Sequence, residues 1–186
     1  MLHGDLVSLR ELRRDDLPVL HAAVDSDPEV HAVTELSPWR PVTLAQRQVE
    51  FDRALGNPPD QRSVGFAVQR RDDQAGRCIG SALLWRIDPH QRTASLGITL
   101  TSQARGKGLG RDAVRVLCRY GFDVRGLHRL SLETLATNEA MLATARACGF
   151  SQEGVLRENA WVMGRRVDEV LFGLLEPQWR AATGSG

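Results

Sequence analysis

The feature that most constrains this chain is a short turn, Arg105-Gly106-Lys107-Gly108-Leu109-Gly110, set between two regular patterns. Upstream, Ala94, Leu96, Ile98 and Leu100 alternate with Ser95, Gly97, Thr99 and Thr101, the period of a strand with one buried face. Downstream, Ala113, Leu117, Tyr120 and Val124 share a helical face, which predicts a helix over about 108–124. A glycine-rich step from strand to helix leaves the first helical amides unpaired and directed outward, beside the positive end of the helix dipole. Such a step is an anion cradle suited to a pyrophosphate. Arg105 and Lys107 add side-chain charge to it.

The spacing separates this turn from two other phosphate binders. A dinucleotide-binding unit wants Gly-x-Gly-x-x-Gly, whereas this turn reads Gly106-x-Gly108-x-Gly110, and the strand after it lacks the usual acidic terminus. A nucleoside-triphosphate loop wants lysine followed by serine or threonine, and Lys107 is followed by Gly108. On these residues alone, a purely geometric role for the three glycines stays open.

The rest of the chain alternates between the two periods. Leu6 to Leu12 reads as a strand, and Asp15-Asp16 caps a helix carrying Leu17, Leu20, Ala23 and Val24. Pro28, Pro38 and Pro41 break the next segment, and Thr43 caps a helix over 44–55. Strands follow at Val64–Val68 and Cys78–Ile87, a fifth is marked by Leu130 and Leu132, and a hairpin over Gly164 closes the pattern. Asn138 begins a short helix that ends at Gly149.

The charge balance, 24 basic against 23 acidic residues, provides no field for nucleic acid or an anionic membrane. No apolar run approaches the ~18 residues of a membrane span, and no signal-peptide core is visible. Cys78, Cys118 and Cys148 lie far apart in apolar stretches and read as buried free thiols in a reduced, cytoplasmic setting, with no metal site.

Beyond the turn come Leu130-Ser131-Leu132-Glu133-Thr134-Leu135-Ala136-Thr137-Asn138, then an alanine-rich helix closing in Cys148-Gly149-Phe150, then Glu153-Gly154. In this order and spacing the segments resemble the GNAT superfamily of acyl-CoA-dependent N-acyltransferases, in particular the branch containing the ribosomal-protein N-terminal acetyltransferases. The resemblance runs from Leu9-Arg10-Glu11-Leu12-Arg13-Arg14-Asp15-Asp16, similar to that branch's Leu-Arg-x-Leu-x-x-x-Asp opening, to Asp168 and Glu176-Pro177-Gln178-Trp179 at its terminal strand. It implies an α/β (α+β) fold: one domain over 1–180 and a flexible tail over 181–186. A mixed, mostly antiparallel sheet of about seven strands would be flanked by helices, with a splayed strand pair holding coenzyme A.

The resemblance also implies the chemistry, an acetyl-CoA-dependent N-acetyltransferase acting by direct transfer to a primary amine. Arg105, Gly106, Lys107, Gly108, Leu109 and Gly110 would hold the pyrophosphate. Ile98, Thr99 and Leu100, on a strand expected to be bulged, would bond the pantetheine arm, and Asn138 would contact it from the far side. A backbone N–H near Thr99 or Leu100 would stabilise the oxyanion. The chain departs from many relatives at two places: Met141 stands where they carry a serine acid, and Ser95 where they carry glutamate. Candidate bases are Glu35, His31, His90, Asp88 and Glu133, with Glu35 preferred; Trp39, Trp85 and Trp161 are candidates for the acceptor pocket, and Tyr120 reads as structural. The implied acceptors are a protein N-terminus, an amino acid, a polyamine or an aminoglycoside, and the implied assembly a homodimer. A non-catalytic acyl-CoA-binding module is the alternative.

Overall fold

A computed structural model describes residues 1–34, 38–58 and 60–184. Its strands are β1 (Leu2–His3), β2 (Val7–Arg10), β3 (Val64–Arg70), β4 (Cys78–Asp88), β5 (Thr93–Leu100), β6 (Arg129–Leu135), β7 (Ser151–Val162) and β8 (Arg165–Leu175). The helices are α1 (Leu17–Leu20), α2 (Pro28–Thr34), α3 (Leu44–Leu55), α4 (Leu109–Arg119), α5 (Glu139–Ala147) and α6 (Glu176–Thr183). Both α1 and α4 run on into π-helical turns, His21–Asp25 and Tyr120–Val124. The strands form one sheet in the order β1-β2-β3-β4-β5-β6-β8-β7, antiparallel throughout except for β5 against β6.

Alternation decides which face of the sheet is core. Ala82, Leu84, Ala94, Leu96, Leu130, Leu132, Phe172 and Leu174 are buried in one cluster with Ala113, Val114, Leu117 and Cys118 of α4. Burying each large member stabilises the fold by about 1.5–3 kcal/mol. Tyr120 packs edge-on against Phe66 with ring centroids 5.1 Å apart, a structural role as expected. The three thiols are buried, and burial raises all of them, Cys148 to about 11. None is a nucleophile at neutral pH.

The opening Leu-Arg-x-Leu-x-x-x-Asp pattern encodes a buried ion pair. Arg10 binds Asp16 in a two-pronged pair, both contacts at 2.7 Å, and also donates to Gln69 Oε1 at 2.7 Å and the Gly76 carbonyl at 3.0 Å. Burial works to raise the Asp16 carboxyl, but the Arg10 guanidinium and the Arg13 amide outweigh it and hold it below its usual range. The motif ties β2 to the start of α1 and to the β3–β4 turn.

The mixed, mostly antiparallel sheet expected at about seven strands has eight among the described residues, the short Leu2–His3 strand pairing with β2. The chain after β8 is helical from Glu176 to Thr183, with Pro177 in its first turn and Trp179 buried against Phe122. Residues 181–183, expected in a tail, therefore belong to α6, while 185 and 186 lie outside the described residues.

The added strand is held by a residue in the first turn of α4. The Asp112 carboxylate accepts from the amides of Asp5, Leu6 and Val7 at 3.1, 2.7 and 2.9 Å. A Cβ on Gly4 would collide with that carboxylate, so only glycine permits the approach. Asp112→Asn keeps the shape but turns an amide donor toward these donors. Urea unfolding should show a loss of about 3 kcal/mol; unaltered stability would mean the latch contributes nothing to folding.

Candidate active site

The sheet forks between β5 and β6. Their parallel pairing covers only Thr93 with Arg129, Ala94 with Leu130 and Ser95 with Ser131. Beyond that vertex β5 stays on β4 as far as Leu100, and β6 stays on β8 as far as Leu135. The facing edges, 96–100 and 132–135, have no strand partner, and unpaired ladder groups seek other partners. The free edge of β5 runs for roughly 16 Å at about 3.3 Å per residue.

The bulge expected in β5 is not there. Ser95 to Leu100 pair with β4 in unbroken register, and the shift falls in β4 between Trp85 and Asp88, where Arg86 has φ +51°. The fork therefore opens because β5 and β6 follow different partners. Gly80 matters to this arrangement, since a Cβ there would run into the Thr99 carbonyl oxygen.

The glycine turn closes the open end of the fork. Thr101 N–H donates to the Ile79 carbonyl at 2.9 Å, a 3₁₀ turn spans Ser102–Ala104, and α4 begins at Leu109. Gly106 (φ +72°) and Gly108 (φ +76°) occupy the left-handed region that disfavours side chains. Gly110 is small for a different reason: a Cβ there would lie 3.2 Å from Ile98 Cδ1. The first helical bond is Asp112 N–H to the Gly108 carbonyl at 3.1 Å. The amides of Leu109, Gly110 and Arg111 thus precede the helical ladder and face outward. Nothing lies within 4 Å of where a Cβ of Gly106 would be, so the turn is open to a ligand.

Arg105 and Lys107 brace this turn from behind. Arg105 Nε donates to the Leu100 carbonyl at 3.1 Å, and Lys107 Nζ to the Gln103 carbonyl at 2.8 Å. Both cationic side chains are thus tied to backbone carbonyls, beside the outward-facing amides at the start of α4. The turn also borders a cleft of about 1340 Å³ on its far side, toward Arg13, Val19, Val30 and Arg77. That cleft is distinct from the fork and shares Thr101, Arg105, Lys107 and Leu109 with the cradle.

Asn138 stands at the mouth of the fork as the cap of α5, its Oδ1 accepting from Met141 N–H at 3.2 Å. Met141 packs its side chain against the core. The helix ends with Phe150 N–H on the Ala145 carbonyl and Gly149 N–H on the Arg146 carbonyl, Gly149 at φ +88°. This is a Schellman closure, which accounts for the Gly149-Phe150 step.

The face of the fork opposite the core carries the polar chemistry. Ser95 and Ser131 are neighbours at the vertex. The Trp85 ring lies over Gly97, where a Cβ would come within 3.1 Å of it. Glu133, two residues past the vertex on β6, pairs with Arg86 at 3.3 Å. Ser95 itself carries no carboxylate, and Glu133 lies on the adjacent strand, two residues beyond its partner Ser131.

The other sequence candidates lie elsewhere. Asp88 caps a turn, and the Gln91 and His90 amides lower its carboxyl; His90 itself is exposed. His31 is buried on α2. Glu35 lies outside the described residues. Trp39 Nε1 donates to the Asp25 carbonyl at 2.8 Å, and Trp161 is 64 % exposed under Arg166 near the β7–β8 hairpin tip. Leu100 lies at the turn end of the fork, about 13 Å along the strand from Leu96 at ~3.3 Å per residue, with its carbonyl taken by Arg105. Sequence reasoning missed Arg86, whose left-handed backbone and reach across β5 leave no mark in a linear pattern.

A family model described as acetyltransferase (GNAT) domain matches residues 7–151. The chain belongs to the GNAT acetyltransferase family. It is 27 % identical over 178 residues to the uncharacterized N-acetyltransferase p20 of Bacillus licheniformis, covering 96 % of this chain and 97 % of that protein. It is 26 % identical over 175 residues to the spermidine N(1)-acetyltransferase of Escherichia coli strain K12, covering 94 % of this chain and 89 % of that one. Its fold matches the crystal structure of spermidine N-acetyltransferase from Vibrio cholerae in complex with CoA and spermine, with a TM-score of 0.81 at 23 % identity over 93 % of this chain and 97 % of the other. This GNAT enzyme is an N-acetyltransferase that uses acetyl-CoA as acyl donor and an amine as acceptor.

Proposed function

We propose that the fork and the glycine turn are the acetyl-CoA site of this enzyme, and that Glu133 is the base that takes the proton from the incoming amine. The observation that carries this reading is the meeting of three things on one strand pair: free amides at the α4 start, a free β5 edge, and a carboxylate beside the vertex. The Leu109, Gly110 and Arg111 amides bind the pyrophosphate, the edge of β5 over Ile98–Leu100 aligns the pantetheine arm, and Asn138 borders it from the start of α5. The thioester supplied by acetyl-CoA then lies toward the vertex. The Thr101 N–H faces β4, so the alternate amide of Ile98 faces the fork, and it is better placed than that of Leu100 to stabilise the thioester oxygen as charge develops.

A primary amine arrives as an ammonium. Arg86, with 61 % of its side chain exposed, holds Glu133 from the solvent side and yields to the incoming cation. Glu133 accepts the proton, and the free amine attacks. Met141 cannot donate to the departing thiolate, whose proton comes from water.

The test is release of free coenzyme A thiol from acetyl-CoA on addition of primary amines. Amine-dependent release is expected. Tight coenzyme A binding without release on any amine class would favour a non-catalytic acyl-CoA-binding module instead.

A further inference from the structure

One buried carboxylate has no role in the site so far. Glu169 of β8 is only 7 % exposed, yet it lies on the face away from the core, paired in register with Leu135 of β6 and Leu156 of β7. Its hydrogen-bond partner is the neutral Asn159 amide, at 2.6 Å. No lysine, arginine or histidine pairs with it among the described residues. A carboxylate removed from water without a countercharge is costly, and buried charges are ordinarily paired with an opposite charge.

The β7 strand is shaped to hold it. The ladder with β8 shifts register between Leu156 and Ala160, with Glu158 at φ +51° and its N–H on Asp168 Oδ1 at 2.8 Å. That bulge directs Asn159 onto Glu169, as bulges commonly re-aim a side chain beside a site.

Its neighbours show what the cation is attached to. On this face of the β6–β8 ladder, Glu133 is opposite Leu171 and, one row on, Leu135 is opposite Glu169. The two carboxylates occupy one diagonal of a square and the two leucines the other. Diagonal neighbours in an antiparallel ladder stand about 7–8 Å apart. A molecule complementary to this block has two ammonium groups joined by a short methylene chain.

We propose that Glu169 is a specificity residue that binds the second ammonium of a dicationic acceptor, a short α,ω-diamine or a polyamine containing one, while the first is presented to Glu133. The methylenes lie over Leu135 and Leu171. This rests on the placement of the acceptor amine at Glu133.

The experiment compares 1,4-diaminobutane with n-butylamine on the full-length enzyme. For the wild type, kcat/KM for the diamine should exceed that for the monoamine by about 30-fold, and Glu169→Gln should collapse the ratio to about one, chiefly through the diamine KM. The isosteric variant should retain its acetyl-CoA affinity and unfold at the same or a higher temperature, since it removes a buried charge; a purely structural role would lower the unfolding temperature and both amines' rates together. A wild-type ratio near one, or a ratio unaltered in Glu169→Gln, overturns the proposal. If neither amine is acetylated, the reading of Glu133 fails separately. Calorimetric titration of 1,4-diaminobutane into the coenzyme A complex then decides Glu169: binding lost in the variant supports it, and binding absent in the wild type or equal in both overturns it.

Discussion

Glu133→Gln is expected to lower kcat for amine acetylation by about 100- to 10,000-fold, the usual contribution of a placed general base. Acetyl-CoA affinity should not change, because the residue lies near the fork vertex while the phosphate cradle lies at the other end of β5. The pH dependence gives a second readout. An alkyl ammonium of the lysine type loses its proton near pH ~10.4. Without a base, the variant depends on the free amine already in solution, so its rate should climb about tenfold per pH unit toward that value. The wild-type rate should climb far less. Parallel profiles for the two enzymes would remove Glu133 from proton transfer.

Gly108→Asp is expected to weaken coenzyme A binding by at least about 100-fold, a loss near 3 kcal/mol. Gly108 sits at φ +76° as the cap of α4, and its position lies beside the free amides of the cradle. Aspartate tolerates the left-handed region better than most residues, at a cost of about 1–2 kcal/mol, so the fold should survive. Its carboxylate would occupy the helix N-terminus and repel the phosphates. Gly108→Asn carries the same shape without the charge and should lose less. Calorimetry with coenzyme A measures all three proteins, and equal affinity in Gly108→Asp would take the turn out of donor binding.

Much of the architecture was legible because its signals are local. Thr43 does cap α3, closing a box with Gln46, and Asn138 caps α5. The Gly149-Phe150 step is a helix closure that six consecutive residues write by themselves. The α6 helix was harder to read, since Glu176-Pro177-Gln178-Trp179 offers one turn of pattern, and it is burial of Trp179 against Phe122 that makes the segment a helix worth forming. The β5 bulge was inferred by resemblance, and the backbone put the irregularity at Arg86 in the adjacent strand.

The candidate site divides in the same way. The donor end is a run of consecutive residues, so the glycine turn, the strand before it and the helix after it are written in local sequence. Hydrogen bonding to near neighbours and side-chain period are enough to specify such a unit. The acceptor end is assembled from residues far apart in the chain, Arg86 with Glu133 and Glu133 with Leu171 and Glu169. Which of these share a face depends on strand register, and a shift of one residue would turn every one of those side chains to the other side. That register emerges in the folded molecule alone, because packing of the whole sheet against α4 sets it rather than any local preference.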